Sequence, residues 1–578
     1  MKLTQMQRDF RLLVFAILLP VGIMQAQTRQ TESFKGKPVT ATSPDKQIDE
    51  LFTAWSNLQT PGAAVAVVKD ENIIFKKGYG CAQLEYGIPI TPSTIFHIAS
   101  VSKQFTTFSA LLLAHEGKLS LDDDIRKYIP EMPDFGKVIT LRQLAHHTSG
   151  LRDQWNLLAM AGWRLDDVIT REHILKLVER QKELNFNPGD EFLYCNTGFT
   201  LLAEVVSRVS GQSFAEFTRE RIFEPLKMSS TLFYDDHEKI VRNRAYSYNA
   251  DSSGIKKSVL NYANVGATSL FTTVEDLSLW AMNFESPVVG DRKIMDEMNE
   301  RGILNNGDTI SYALGQDVGT YKGLKLISHG GGDAGYRTFL ARFPDQKLSV
   351  IVFSNLGSFD PAGMAFKIAD IYLKDELVSE KSKEAAETKD AEKGTVTVDN
   401  DVLETYCGQY EYQPDIIVNI SLDNNKLYAE APGVPKVVLE PVSLSEFAVK
   451  GMNARLIFVK EDNGIISKVL IILNGQESSA PRIKGFNPAM VNLAEFTGEF
   501  YSQELNTTYS FMMESSKLIA RHTRLNDIML TPVKPDQFSG NEWFFGQIEF
   551  VRDKDNNITG CKVSSGRVRN IRFDKVKL

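Results

Sequence analysis

Phe96-His97-Ile98-Ala99-Ser100-Val101-Ser102-Lys103-Gln104-Phe105 is the stretch whose reading decides the fold. Behind it lies an apolar segment, residues 106–115, followed by Gly117. Val101, Phe105, Phe108 and Leu112 recur at helical spacing, which predicts a buried helix with Gly117 as its stop. Ser100 then stands at the helix N-terminus, with Lys103 one turn later on the same face. A lone serine hydroxyl is a poor nucleophile, but a neighbouring amine that loses its charge by burial can take its proton. The helix N-terminus also favours a developing oxyanion. Ser-x-x-Lys occurs again at Ser43-Lys46 and Ser253-Lys256, both in polar, turn-rich sequence. Of the three, only Ser100 opens a long apolar helix.

Strand signals flank this helix far apart in the chain. Residues 63–68, a turn at Asp70-Glu71-Asn72 and residues 73–75 read as a β-hairpin. Residues 338–343, a turn at Pro344-Asp345 and residues 348–353 read as a second. The sequence between them is mostly helices and loops, which predicts one sheet built from both ends and covered by helices, an α+β domain. Within that insert, residues 141–151 form a helix running into a Ser149-Gly150 turn. Pro188-Gly189 precedes Tyr194-Cys195-Asn196, a short loop entering a buried helix that ends near Gly211. Such a loop can set a phenol and an amide beside a serine, the phenol relaying protons and the amide bonding a carbonyl or the lysine. Tyr262-Ala263-Asn264 repeats the pattern without the flanking turn. His329-Gly330-Gly331-Gly332 lies between two strands, and such a glycine run needs a reason. One reason is close approach of a ligand to the backbone; the plainer one is a flexible turn.

Together these stretches resemble the serine β-lactamase and penicillin-binding protein family, in its class C-like branch, over about residues 47–375. The marks are Ser100-x-x-Lys103, Tyr194-x-Asn196 and His329-x-Gly331. Supporting stretches are Leu144-x-His146-His147-Thr148-Ser149-Gly150-Leu151, Pro188-Gly189, Pro225-Leu226-x-Met228 and Thr272-Thr273-x-x-Asp276-Leu277. The resemblance implies acylation of Ser100 with Lys103 and Tyr194 handling protons. It also implies an oxyanion hole from the N–H groups of Ser100 and Gly332, and substrate contacts from Asn196, His329 and Gly331. The β-lactamases carry Lys-Thr-Gly as their third motif; His329-Gly330-Gly331 is similar to the form in esterases and D-aminopeptidases, and it removes a fixed cation.

Residues 376–400 are rich in Glu, Lys, Ala and Ser and read as a charged linker or exposed helix. Beyond them lies a tandem repeat, residues 401–487 and 488–578. Leu403-x-x-Tyr406-x-Gly408-x-Tyr410 returns as Leu493-x-x-Phe496-x-Gly498-x-Phe500, and Phe447 and Phe458 return as Phe538 and Phe550. Short alternating segments make each copy a small β-barrel or sandwich. A catalytic domain followed by two such modules resembles the D-aminopeptidase arrangement.

The 578 residues predict several domains; 43% hydrophobic and 24% charged content is ordinary for a globular protein. The net charge of −8 and the lack of a basic stripe exclude nucleic acid as a partner. Lys2, Arg8 and Arg11 precede an apolar run at residues 12–24, so residues 1–26 read as a signal peptide and 27–46 as a mobile leader. That implies a periplasmic or secreted protein with no membrane span after cleavage. Cys81, Cys195, Cys407 and Cys561 are scattered, so neither a disulfide framework nor a metal site is expected, and no cofactor. The expected activity is an exported serine hydrolase acting on D-amino-acid peptides or amides, as in peptidoglycan fragments, or on small esters. Its rivals are a β-lactamase and a non-catalytic penicillin-recognising sensor.

Overall fold

The computed structural model describes residues 43–377 and 398–577, apart from 414–415, 432–433, 450–451, 453, 462–463 and 474–475. The signal peptide and most of the leader and linker read from sequence lie outside the described residues. The leader's last residues are helical: α1, Pro44–Leu51, starts at a proline, whose fixed φ suits the first helical position.

The catalytic segment is built on β1 (Ala63–Lys69), β2 (Asn72–Tyr79), β3 (Asp317–Tyr321), β4 (Leu324–Asp333), β5 (Tyr336–Phe343) and β6 (Leu348–Ser354). They form one antiparallel sheet in the order β3-β4-β5-β6-β1-β2. The two hairpins expected from sequence therefore meet, with Ala63 opposite Ser354 and Lys69 opposite Leu348. Asp70 and Glu71 both take positive φ, 48° and 61°, the two-residue turn whose twist suits a hairpin. β1 is buried on both faces, which its Ala/Val sequence requires. On one side Ile48 and Phe52 join Ile368 and Ala369 of α5 (Pro361–Leu373) in a core cluster. On the other, α4 (Val274–Asn283) lies against β1 and β6. Two further helices, α2 (Lys103–His115) and α3 (Asn196–Ser210), pack together in the insert. The glycine run is a strand end, not a loop: Gly330, Gly331 and Gly332 belong to β4.

The remaining described chain forms two closed eight-stranded antiparallel barrels, from Gly408–Gln413 to Gln476–Ile483 and from Gly498–Ser502 to Val568–Lys575. They correspond strand for strand, down to the hairpin turns. Asn424 and Asn425 (φ 48° and 58°) in the first occupy the place of Ser515 and Ser516 (φ 48° and 63°) in the second. The repeated aromatics make the cores. Tyr406 stacks on Phe458 at 4.3 Å, and Phe496 meets Phe550 edge-on at 4.7 Å. Among the described residues no helix is long and apolar enough to cross a membrane.

Candidate active site

Ser100 does not open the α-helix itself. It lies in a 3-10 turn, Ala99–Ser102, that feeds directly into α2. Ala99 takes a positive φ of 47°, unfavourable for an L-residue and found where surrounding structure holds it. Two groups hold it here. The Ser102 hydroxyl donates to the Ala99 carbonyl at 2.5 Å and accepts the Leu270 N–H at 3.2 Å. The Thr338 hydroxyl, from β5, donates to the Ile98 carbonyl at 2.9 Å.

Lys103 is fully buried and its amine has three acceptors: Ser100 Oγ at 3.0 Å, Asn196 Oδ1 at 2.9 Å and the Ala267 carbonyl at 2.7 Å. Asn196, at the first turn of α3, is oriented in its turn. Its backbone N–H and its Nδ2 both donate to Asp153 Oδ2, at 2.7 and 2.8 Å. With the NH2 end on Asp153, the oxygen end must face Lys103. Asp153 is buried and also caps the helix Gln154–Met160 by accepting from the Trp155 N–H. Sequence reading missed it. Its capping position was a visible signal, but a cap announces only a helix start. The second Tyr-x-Asn serves differently: Tyr262 is buried against Trp155 at 4.5 Å, and the loop after it supplies Ala267.

Tyr194 covers the amine, with Lys103 Nζ 4.8 Å from its ring centre. Behind it stand His147 at 4.1 Å and Tyr312 edge-on at 6.1 Å. His147 takes a positive φ of 60° and accepts the Cys195 N–H at Nδ1, 3.0 Å, tying down the residue between Tyr194 and Asn196.

His329 and Gly331 are both tied into the protein's own framework. His329 is buried, and burial, with Lys103 nearby, pulls its pKa down to about 3, so the ring is neutral. Nδ1 donates to the Gly330 carbonyl at 2.6 Å, which leaves Nε2 to accept the Tyr312 hydroxyl at 2.9 Å. Both ring nitrogens are thus engaged within the protein. Gly331 is pressed against the nucleophile turn: a Cβ there would stand 2.2 Å from the Ile98 carbonyl oxygen. It pairs with Thr338 across the hairpin. Asp333 and Tyr336 close that hairpin, so alternation along the ladder turns the Gly331 N–H toward β5 and the Gly332 N–H outward, where β3 has ended. Gly332 is therefore aimed as an oxyanion donor would be, and Gly331 is not.

A family profile described as Beta-lactamase matches residues 47–373. The chain belongs to the beta-lactamase family. Penicillin-binding protein 4* of Bacillus subtilis is 25% identical over 455 residues, 76% of this chain and 99% of that protein. A D-aminopeptidase of Brucella anthropi is 30% identical over 317 residues, 54% of this chain and 59% of that protein's length. Among solved structures, the octameric penicillin-binding protein homologue from Pyrococcus abyssi superposes with a TM-score of 0.53 at 23% identity, covering 76% of this chain and 99% of that one. At that identity the likeness speaks for the fold alone. As a member of the family, with Ser100 bonded to a buried lysine, the protein is a serine hydrolase.

Within the family, the third motif here carries no cation. His329 is neutral. Arg337 sits opposite Gly332, on the sheet face away from Ile98, and its Nη1 donates to the Ala334 and Tyr336 carbonyls at 3.1 and 2.7 Å.

Proposed function

We propose that Ser100 is acylated by D-amino-acid amides and peptides of the kind found in peptidoglycan, or by small esters, in an exported protein. The contact that carries this reading is Lys103 Nζ, shared between Ser100 Oγ at 3.0 Å and Asn196 Oδ1 at 2.9 Å. As Ser100 Oγ attacks the carbonyl carbon, its proton passes to the Lys103–Tyr194 pair. The oxyanion is received by the N–H groups of Ser100 and Gly332. The leaving amine or alkoxide takes the proton back, and water repeats the sequence on the acyl-enzyme. Asn196 holds the amine in line. D-aminopeptidases among the relatives support the substrate class. The basic start and apolar run of residues 1–26 support export to the periplasm or beyond.

Ser100→Ala should abolish labelling by a fluorophosphonate probe while the thermal unfolding curve is retained. Lys103→Ala should be about as severe, because the two residues act as a unit. Persistent labelling of the Ser100→Ala protein removes the assignment. The neutral third motif argues against efficient β-lactam turnover. Losing the partly desolvated partner of a carboxylate costs about 1.4 to 3 kcal/mol, roughly a 10- to 150-fold drop in kcat/KM. A chromogenic cephalosporin should therefore be a poorer substrate than a p-nitrophenyl ester, and His329→Lys should narrow the gap.

A further inference from the structure

We infer that Asp333, on the reading of the site as a D-aminoacyl hydrolase, is the specificity-determining residue that receives the substrate's free α-ammonium. Asp333 ends β4, one residue beyond Gly332. Alternation along a strand puts its side chain on the same face as Gly331, the face pressed against Ile98 and Ala99. The carboxylate thus lies on the nucleophile's side of the sheet.

Its surroundings hold it there without neutralising it. The Thr268 hydroxyl, one residue after the Ala267 carbonyl that accepts from Lys103, donates to Asp333 Oδ2. His97 Nε2 lies 3.6 Å from the same oxygen, but complete burial holds that imidazole well below its ordinary pKa, so it brings no charge. Asp333 Oδ1 has no hydrogen-bond partner among the described residues, and the side chain keeps 16% of its surface open. Lys103 and Arg337 are the cations whose fields reach it. Lys103 is committed to Ser100, Asn196 and Ala267, and Arg337 lies across the sheet. Burial outweighs both and lifts the Asp333 pKa to about 6, the condition of a carboxylate that lacks a counter-ion. The cleft wall after the third motif is therefore anionic where a lysine would make it cationic. An ammonium on the carbon next to the scissile carbonyl supplies the missing charge, and a substrate carboxylate is repelled.

The test compares D-alanine p-nitroanilide with its N-acetyl derivative, in the full-length wild type and in Asp333→Asn, which keeps the size and an acceptor for Thr268. In the wild type the free amine should be preferred. In Asp333→Asn, kcat/KM for the free amine should fall 10- to 100-fold, mainly through KM, with the N-acetyl substrate within about threefold of wild type. Equal loss on both substrates would mean a merely structural residue and overturn the inference. So would an unchanged preference in the variant, or a wild type that prefers the N-acetyl compound; either leaves acyl-enzyme chemistry at Ser100 standing. A wild type inert to both anilides and to a p-nitrophenyl ester overturns the functional reading itself, and the inference with it.

Discussion

At the scale of single residues, the site is a relay of orientations. Asp153 fixes Asn196, Asn196 and Ala267 fix the Lys103 amine, and the amine faces Ser100. Asp153→Ala should free the Asn196 amide to flip and lower the acylation rate 10- to 100-fold, measured as the pre-steady-state burst with p-nitrophenyl acetate. The lost helix cap adds about 1 kcal/mol of destabilisation. A shifted Tm with an unchanged burst rate would reduce Asp153 to a cap. The buried histidines make a second prediction. His146 and His329 have pKa values pulled to about 4 and about 3 by burial, against 6.5 when exposed. They stay neutral in the folded state and take protons when unfolded, so stability is lost as pH falls below 6.5 toward 4. Asp333, raised to about 6, works in the opposite sense with a smaller shift. Tm should drop steadily between pH 7 and 4, and His146→Gln, which keeps a donor for the Glu300 carbonyl, should flatten that slope. Ser100, Lys103, Tyr194 and Asn196 were legible in the sequence because each pair lies within one turn or loop. Asp153, Ala267 and Tyr312 were not, since they reach the site from separate segments and no local spacing marks them.

At the scale of elements, β4 carries most of what the sequence obscured. Three glycines in a row look like a turn, because nothing local tells a strand that must pass close to a backbone from a loop. The structure separates the three. A Cβ on Gly331 would stand 2.2 Å from the Ile98 carbonyl oxygen and 2.3 Å from the Thr338 hydroxyl, while at Gly330 and Gly332 the nearest atoms are 3.6 Å away. Gly331→Ala must push β4 off the nucleophile turn. It should cost about 2 kcal/mol or more, as overpacking does, and remove esterase activity. Gly330→Ala should keep both Tm and activity near wild type. If Gly331→Ala is equally mild, the close fit of β4 on Ile98 and Ala99 is not what holds Ser100 in place. The hairpins, by contrast, could be read in advance. Their alternation and turn residues are local, and Asp70-Glu71 and Pro344-Asp345 turn where expected.

At the scale of the molecule, the two barrels form a compact unit of their own within the chain. Each has its aromatic core, with Tyr406, Phe447 and Phe458 in one and Phe496, Phe538 and Phe550 in the other. Residues 398–578 expressed alone should be soluble, with a β-type circular dichroism spectrum. A strongly helical spectrum, or a chain soluble only with the catalytic segment attached, would contradict that. The repeat was legible because its aromatics recur in order; barrel closure was not, because it depends on the first strand meeting the last. The catalytic sheet has a similar dependence. Ala63 pairs with Ser354, so β1 leaves the ribosome with only β2 to join, and a lone hairpin is marginal in water. Pairings that span so much chain also form slowly. Until residue 354 has been made, the nascent polypeptide lacks the finished sheet whose β4 and β5 hold the turn carrying Ser100, so the nucleophile stays unassembled through most of the catalytic segment's synthesis.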